Sequence, residues 1–256
     1  MFLQFASSNL CNLAFAKNTF LQYMAGRSFD DFDAYANDYR SIHNENITVS
    51  GADSFYFAEM KIRLLQPFED NISLKVLDIG CGDGATEIFI NKYFPAWQIN
   101  AIDVSQEIIS TAKNKSIPNC KFQVYDGLHI PFANENFDIV FMAGVLHHVS
   151  FSLHNDLIKE VHRVLKSSAR FYLFEHNPLN PLTKHLVNTC VFDKDAKLLK
   201  SNYAITLLKG NIFLTVQKKF IIFFPRKGIL SKLIFLEKYL QWLPLGGQYF
   251  LRAIKG

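Results

Sequence analysis

The stretch Lys75-Val76-Leu77-Asp78-Ile79-Gly80-Cys81-Gly82-Asp83-Gly84-Ala85 decides how this chain is read. Val76, Leu77 and Ile79 make a short apolar run that favours a β-strand. It breaks into three alternating glycines, Gly80, Gly82 and Gly84. Residues 86–94 then take up helical spacing, with Ile88 and Phe89 placed to face a sheet. Strand, glycine turn and helix in that order form a nucleotide-binding βα unit. Glycine lets the backbone turn tightly and approach a ligand where a Cβ would collide with it. The helix start beyond the turn offers free N–H groups to an anion.

The run G-C-G-D-G-A also fits G-x-G-x-x-A, so a nicotinamide or flavin dinucleotide is a rival ligand. Three acids argue for S-adenosylmethionine (SAM) instead. Asp78 stands two residues before the first glycine, where a carboxylate meets an ammonium group and gives a pyrophosphate nothing. Asp103 lies 19 residues beyond Gly84, at the end of a strand-like run, and can accept hydrogen bonds from two ribose hydroxyls. Asp126-Gly127 closes a third strand, where a carboxylate can take an adenine amine. One such acid is ordinary; three in order at strand ends point to one ligand.

The segments VLDIGCGDG, AIDVS, YDGLHIPF, FDIVFMAGVLHHV, EVHRVLK and FYLFEH resemble the successive motifs of class I SAM-dependent methyltransferases, with the closest likeness to the UbiE-like small-molecule branch. The likeness covers roughly residues 32–256. It implies a Rossmann-like α/β fold: a seven-stranded, mostly parallel sheet with helices on both faces, its last strand antiparallel, under an N-terminal helical cap. It implies SAM as cofactor and S-adenosylhomocysteine as product. By position it assigns Asp78, Gly80, Cys81 and Gly82, with Gly84 in the same turn, to the methionine moiety. Asp103 and Val104 fall at the ribose and its adjoining adenine face, Asp126 and Gly127 at the adenine edge, and Ala143 near the amino-acid tail. The run F-D-A-Y-A-N-D-Y resembles the family's pocket-covering helix, which puts Tyr35 and Tyr39 on one face, against the substrate or in ordinary packing. Lys166-Ser167-Ser168-Ala169 replaces the Pro-Gly-Gly turn usual in the family, so the local turn geometry departs there.

Strand and helix patterns alternate from Lys75, with strands near 75–79, 98–103, 121–125, 137–142 and 169–175. Helices are expected near 85–94, 105–115 and 153–166, the arrangement of a parallel sheet covered on both faces. Beyond it, helices over 182–192, 195–208 and 227–243 and strands over 212–224 and 248–254 complete the reading. Upstream, residues 41–54 read as a mobile loop, either a substrate gate or a plain connection, before a helix over 55–66. The chain therefore divides into an apolar extension over 1–23, disordered or over-annotated, a helical cap over 24–66, and the methyltransferase domain over 67–256. A basic, aromatic insert occupies residues 178–245 of that domain.

At 256 residues, 49% hydrophobic and 20% charged, the chain has the composition of a globular protein with a substantial core. No apolar run reaches the roughly 18–20 residues that span a bilayer. Cys11, Cys81, Cys120 and Cys190 are far apart and make no C-x-x-C pair, so neither a zinc site nor a disulfide framework is expected, and a reducing cytoplasm fits. Residues 191–256 carry a formal +9, against +4 for the whole chain. That excess is a solvated lysine surface, or it attracts an anionic substrate or a membrane surface for peripheral contact. No N-P-P-Y or D-P-P-Y tetrapeptide is present to hold a flipped base, and lysine outnumbers arginine, so no nucleic-acid partner is expected.

The methyl group of a sulfonium is electrophilic, so the protein chiefly aligns a nucleophile and excludes water. An oxygen or nitrogen nucleophile also calls for a base. His147 and His148, after the fourth strand, are the candidates, or else they shape the pocket. Glu175 and His176 end the fifth strand toward the pocket mouth and are candidates for substrate contact. The remaining histidines, His162 among them, read as surface residues. Phe213, Phe220, Phe223, Phe224 and Trp242 suit an apolar or amphiphilic acceptor, or core. The function expected is methyl transfer from SAM to a small organic acceptor, apolar or anionic, at oxygen or carbon. The rivals are a non-catalytic SAM-binding regulator or scaffold and, behind it, an NAD(P)-dependent oxidoreductase.

Overall fold

Alternating side chains along five parallel strands build the centre of the molecule. The computed structural model describes residues 44, 47–190, 193 and 196–256. Tyr35, Tyr39, the 1–23 extension and the helix expected around 32–39 lie outside the described residues. β1 (Lys75–Ile79), β2 (Gln98–Asp103), β3 (Cys120–Val124), β4 (Phe137–Ala143) and β5 (Leu165–His176) run parallel. β6 (Phe213–Ile221) and β7 (Gln248–Lys255) complete one sheet of order β3-β2-β1-β4-β5-β7-β6. β7 is antiparallel to both neighbours, as the Rossmann-like expectation requires. The strand order reverses between β1 and β4, where open α/β sheets leave a crevice for ligands.

The two-residue period of a strand sends neighbouring side chains to opposite faces. Leu77, Ile79, Val140, Met142, Phe171 and Leu173 pack on one face against α4 (His154–Val164) and α6 (Ser201–Gly210). Val76, Ile139, Phe141, Tyr172 and Phe174 pack on the other. There they meet α1 (Ser54–Arg63), α2 (Ala85–Tyr93) and α3 (Gln106–Asn114). Asp53 starts α1 by accepting the Tyr56 N–H at 2.8 Å. Buried Glu69, between α1 and β1, ties the segment to the sheet through Arg170 and through the Tyr172 hydroxyl at 2.5 Å.

Several sequence expectations are corrected. On α2 it is Glu87 and Ile90 that are fully buried; Phe89 packs partly buried against the core as expected, whereas Ile88 is half-exposed. The loop expected over 41–54 holds helical residues Asn44 and Ile47 and a 3-10 turn Thr48–Ser50. The helix expected over 195–208 begins only at Ser201, and that over 182–192 is α5 (Pro181–Thr189), started by an Asn180 cap. The helix expected over 227–243 is a 3-10 segment Ile229–Leu236 followed by one turn, Glu237–Leu240. The turn expected at 166–169 is absorbed into β5, with Ser168 at φ 60°. His162 is half-buried edge-on to Phe213 rather than a surface residue. Phe213 and Phe220 are core, Phe223 and Phe224 line the cavity described below, and Trp242 is 74% exposed.

Candidate functional site

A cavity of about 300 Å³ lies over the C-terminal ends of β1, β4 and β5. α1 and α5 wall it, together with residues 222–226. The glycine turn forms its floor. Gly80, Gly82 and Gly84 take φ of 74°, 55° and 82°, the left-handed region that favours glycine. The Gly80 and Cys81 N–H groups donate to Ile102 O at 2.8 and 3.2 Å, tying the turn to the end of β2. A Cβ on Gly80 would stand 2.3 Å from Val145 Cγ2. The turn is therefore glycine by both backbone conformation and packing.

The three acids sit at the ends of adjacent strands, but their side chains do different things. Asp78 is buried on the cavity wall, and the Lys61 charge acts on it. Burial and the neighbouring Glu87 hold its carboxyl well above the usual range, and burial raises Glu87 to about 7. Asp103 Oδ2 accepts the Gly82 N–H at 2.9 Å and Oδ1 accepts the Ser105 N–H at 3.1 Å, so it braces the glycine turn. Asp126 turns back on its own loop, accepting the Leu128 and His129 N–H groups at 2.9 and 2.7 Å and meeting His129 Nδ1 at 2.8 Å. Burial would raise its pKa, but those donors together hold it below the usual range. Asp78, Gly80, Cys81, Gly82 and Ala143 reach the cavity wall. Gly84, Asp103, Val104, Asp126 and Gly127 do not line it; they lie along the neighbouring β2 and β3 ends or under the turn.

Beside the glycine turn, at the ends of β4 and β5, the four sequence candidates come together with Asp193. Glu175 Oε1 accepts the Val145 and Leu146 N–H groups at 3.1 and 2.8 Å, and Oε2 lies 2.6 Å from His147 Nδ1. His147 Nε2 faces Asp193 Oδ1 at 3.6 Å, and His148 Nε2 reaches the same oxygen at 3.3 Å. Burial would lower the His147 pKa, but the Glu175 and Asp193 carboxylates hold it up to about 10. A charged imidazole cannot accept a proton, so His147 does not fit the role of base in this state. Glu175 is committed to the loop after β4, which makes it a positioning residue. His176 sits edge-on to His147, ring centres 5.2 Å apart, and burial with the nearby His147 charge pushes it down to about 4. His176 is thus a neutral imidazole on the cavity wall.

Sequence reasoning missed Lys61, Glu87 and Asp193. Lys61 projects from α1 to the cavity, and its ammonium has no hydrogen bond or ion pair among the described residues. Burial lowers its pKa, opposed by Asp78 and Glu175. A lysine on an amphipathic helix carries no mark of this role. Arg226 is a second cation on the cavity; it pairs with Glu237 at 3.0 Å, while its Nε is buried without a hydrogen-bond partner among the described residues. His154, read with the remaining histidines as a surface residue, is instead fully buried and secures the loop before α4 through Leu146 O and Val149 O, each at 3.0 Å from Nε2.

A methyltransferase-domain family model matches residues 76–168. The chain is 34% identical over 119 residues to an uncharacterized methyltransferase, YcgJ, of Bacillus subtilis, covering 44% of this chain and 46% of that protein. It is 29% identical over 161 residues to a demethylmenaquinone methyltransferase of Chlorobaculum parvum, covering 60% and 62%. The chain thus spans about half of the first relative's length and somewhat more of the second's. Among solved structures, a SAM-dependent methyltransferase of Thermotoga maritima, a possible histamine N-methyltransferase, superposes with a TM-score of 0.64 at 15% identity. That superposition covers 90% of this chain and all of the other, and it establishes a shared fold.

Proposed function

We propose, from the match of residues 76–168 to a methyltransferase domain, that this chain transfers a methyl group from SAM to a small organic acceptor at oxygen or carbon. The observation that carries this reading is the glycine-floored cavity itself. A buried carboxylate, with the Lys61 charge acting on it, lines the cavity together with a histidine cluster. Asp78 fits the amino group of a methionine moiety, because an ammonium would neutralise the charge that burial disfavours. When bound, the sulfonium supplies the electrophilic methyl group. Gly80, Cys81 and Gly82 let the chain approach that moiety closely, and Asp103 keeps their turn in place. Asp103 and Asp126 remain assigned to ribose and adenine, with the Asp126 side chain having to give up part of its own turn to bind. α1, α5 and residues 222–226 exclude water from the transfer.

Lys61 and Arg226, whose Nε has no hydrogen-bond partner among the described residues, support an acceptor carrying an anionic group. Phe57, Phe223, Phe224 and Leu186 support an apolar body beside it. The division into extension, cap and domain belongs to the same proposal, as does a cytoplasmic location with contact at a membrane surface. No described helix is long and apolar enough to cross a membrane. Exposed Ile229, Phe235, Tyr239 and Trp242 do stand in one segment with Lys227, Lys232 and Lys238. Residues 222–226 join that segment to the cavity. Incubating the protein with methyl-labelled SAM and fractionated metabolites, including an anionic-vesicle extract, tests the reading. Label transferred to an acceptor supports it. SAM binding with no transfer to any fraction would favour the non-catalytic regulator.

A further inference from the structure

We propose that His147, His148 and Asp193 form a site for a divalent transition-metal ion of the zinc type on the cavity wall. One ligand atom from each of the three lies within 4.8 Å of the other two. Asp193 Oδ1 stands 3.3 Å from His148 Nε2 and 3.6 Å from His147 Nε2. Ligands bound at about 2.0–2.1 Å and tetrahedral angles are about 3.3 Å from one another. The two edges made by the carboxylate are therefore at or near bonding separation. Two imidazoles and one carboxylate suit Zn(II), Co(II) or Ni(II), whereas magnesium and calcium favour oxygen ligands.

A second feature stands behind the first ligand. His147 Nδ1 lies 2.6 Å from Glu175 Oε2, and the other oxygen of Glu175 is fixed by two backbone N–H groups. A carboxylate backing a ligating imidazole keeps the Nδ1 proton in place, so that an ion takes the Nε2 lone pair by displacing the proton there. All three ligands line the cavity, so an ion and a fourth ligand can reach them from it. The cysteine spacing that argued against a metal concerns thiolate sites only. Asp193 comes from the insert after β5, 45 residues beyond His148, and only the fold brings it to the pair.

The role of the ion rests on the methyltransferase reading. An acceptor hydroxyl bound to the ion loses its proton to solvent, and the oxygen keeps the electron pair. That pair forms the O–CH₃ bond as the S–CH₃ bond breaks and its electrons pass to sulfur.

The test uses the full chain, stripped with a chelator and titrated with Co(II) while its visible d–d absorption is followed. One equivalent of saturable, four-coordinate-type absorption, displaced by Zn(II), is expected. His148→Ala and Asp193→Asn should each weaken cobalt binding at least about tenfold, and Glu175→Gln by about 10–100-fold. His129→Ala, at an exposed pair elsewhere, should leave the titration unchanged. Where His148→Ala does not fold, His148→Gln and Asp193→Asn give the same reading. Absent saturable absorption, or absorption indifferent to these variants, would overturn the site and leave a histidinium clamped between two carboxylates. Calorimetry with S-adenosylhomocysteine on the same stripped samples keeps the two ideas apart. Homocysteine-ligand binding without a cobalt site removes the metal and spares the methyltransferase reading. A cobalt site without ligand binding keeps the metal and removes the role given to it.

Discussion

Asp78 and Glu87 are two carboxyl groups buried beside each other under the cavity, and burial raises both pKa values, Glu87 to about 7. The folded protein therefore holds a proton that the unfolded chain gives up near pH 4.5. Folding stability from this pair falls as pH rises toward about 7 and then levels off. An ammonium ligand needs the pair to lose that proton, so SAM affinity should rise by up to about tenfold per pH unit below 7 and flatten above it. In Glu87→Gln, calorimetry between pH 5 and 8 should find that slope reduced. An equal slope in the variant would place the titration elsewhere. Asp103→Ala removes the acceptor for Gly82 and Ser105 N–H and, on the ribose assignment, for the hydroxyls. A loss of about 1.5–3 kcal/mol in SAM affinity, roughly 10–150-fold, is expected. Asp78 and Asp103 were legible because they end apolar runs. Glu87 was not, because a carboxylate on a core-facing helix position follows no periodic rule.

The glycine turn between β1 and α2 is held from three sides: its left-handed backbone, its bonds to β2, and the Val145 methyl over Gly80. Gly80→Ala should cost about 2–4 kcal/mol in urea unfolding, from left-handed strain plus overpacking. Adding Val145→Ala relieves the contact but not the backbone. The double variant should therefore cost about 1 kcal/mol less than the sum of the singles. Strict additivity would show that Val145 does not press on the turn. The βα units themselves were legible, since strand and helix periods alternate cleanly. The segment 227–243 was not: its apolar residues suggest one helix, yet Ile229 and Phe235 are exposed on a 3-10 segment and Trp242 is exposed beyond the single helical turn that follows it. Exposed apolar residues there face no core, so no core-directed period governs them.

Across the whole molecule, seven strands and their two helical layers bring residues from β1, α1, β4, β5 and the late insert to one cavity. The first part of that convergence was readable, because open sheets place ligands at their switch point. Lys61 and Asp193 were not, since the charged groups that face them are distant in sequence and meet them only through the fold. Ligand binding to the folded state should appear globally. At 100 times Kd, SAM adds about 2.7 kcal/mol and raises Tm by roughly 5–10 °C. NADH should give no such rise.

Isothermal calorimetry with S-adenosylhomocysteine on the wild-type protein and on Asp78→Asn bears most directly on the cavity as a SAM site. One-to-one binding that weakens at least about tenfold in the variant is the expected result. Equal affinity in the two proteins, or tighter binding of NADH than of S-adenosylhomocysteine, would contradict it.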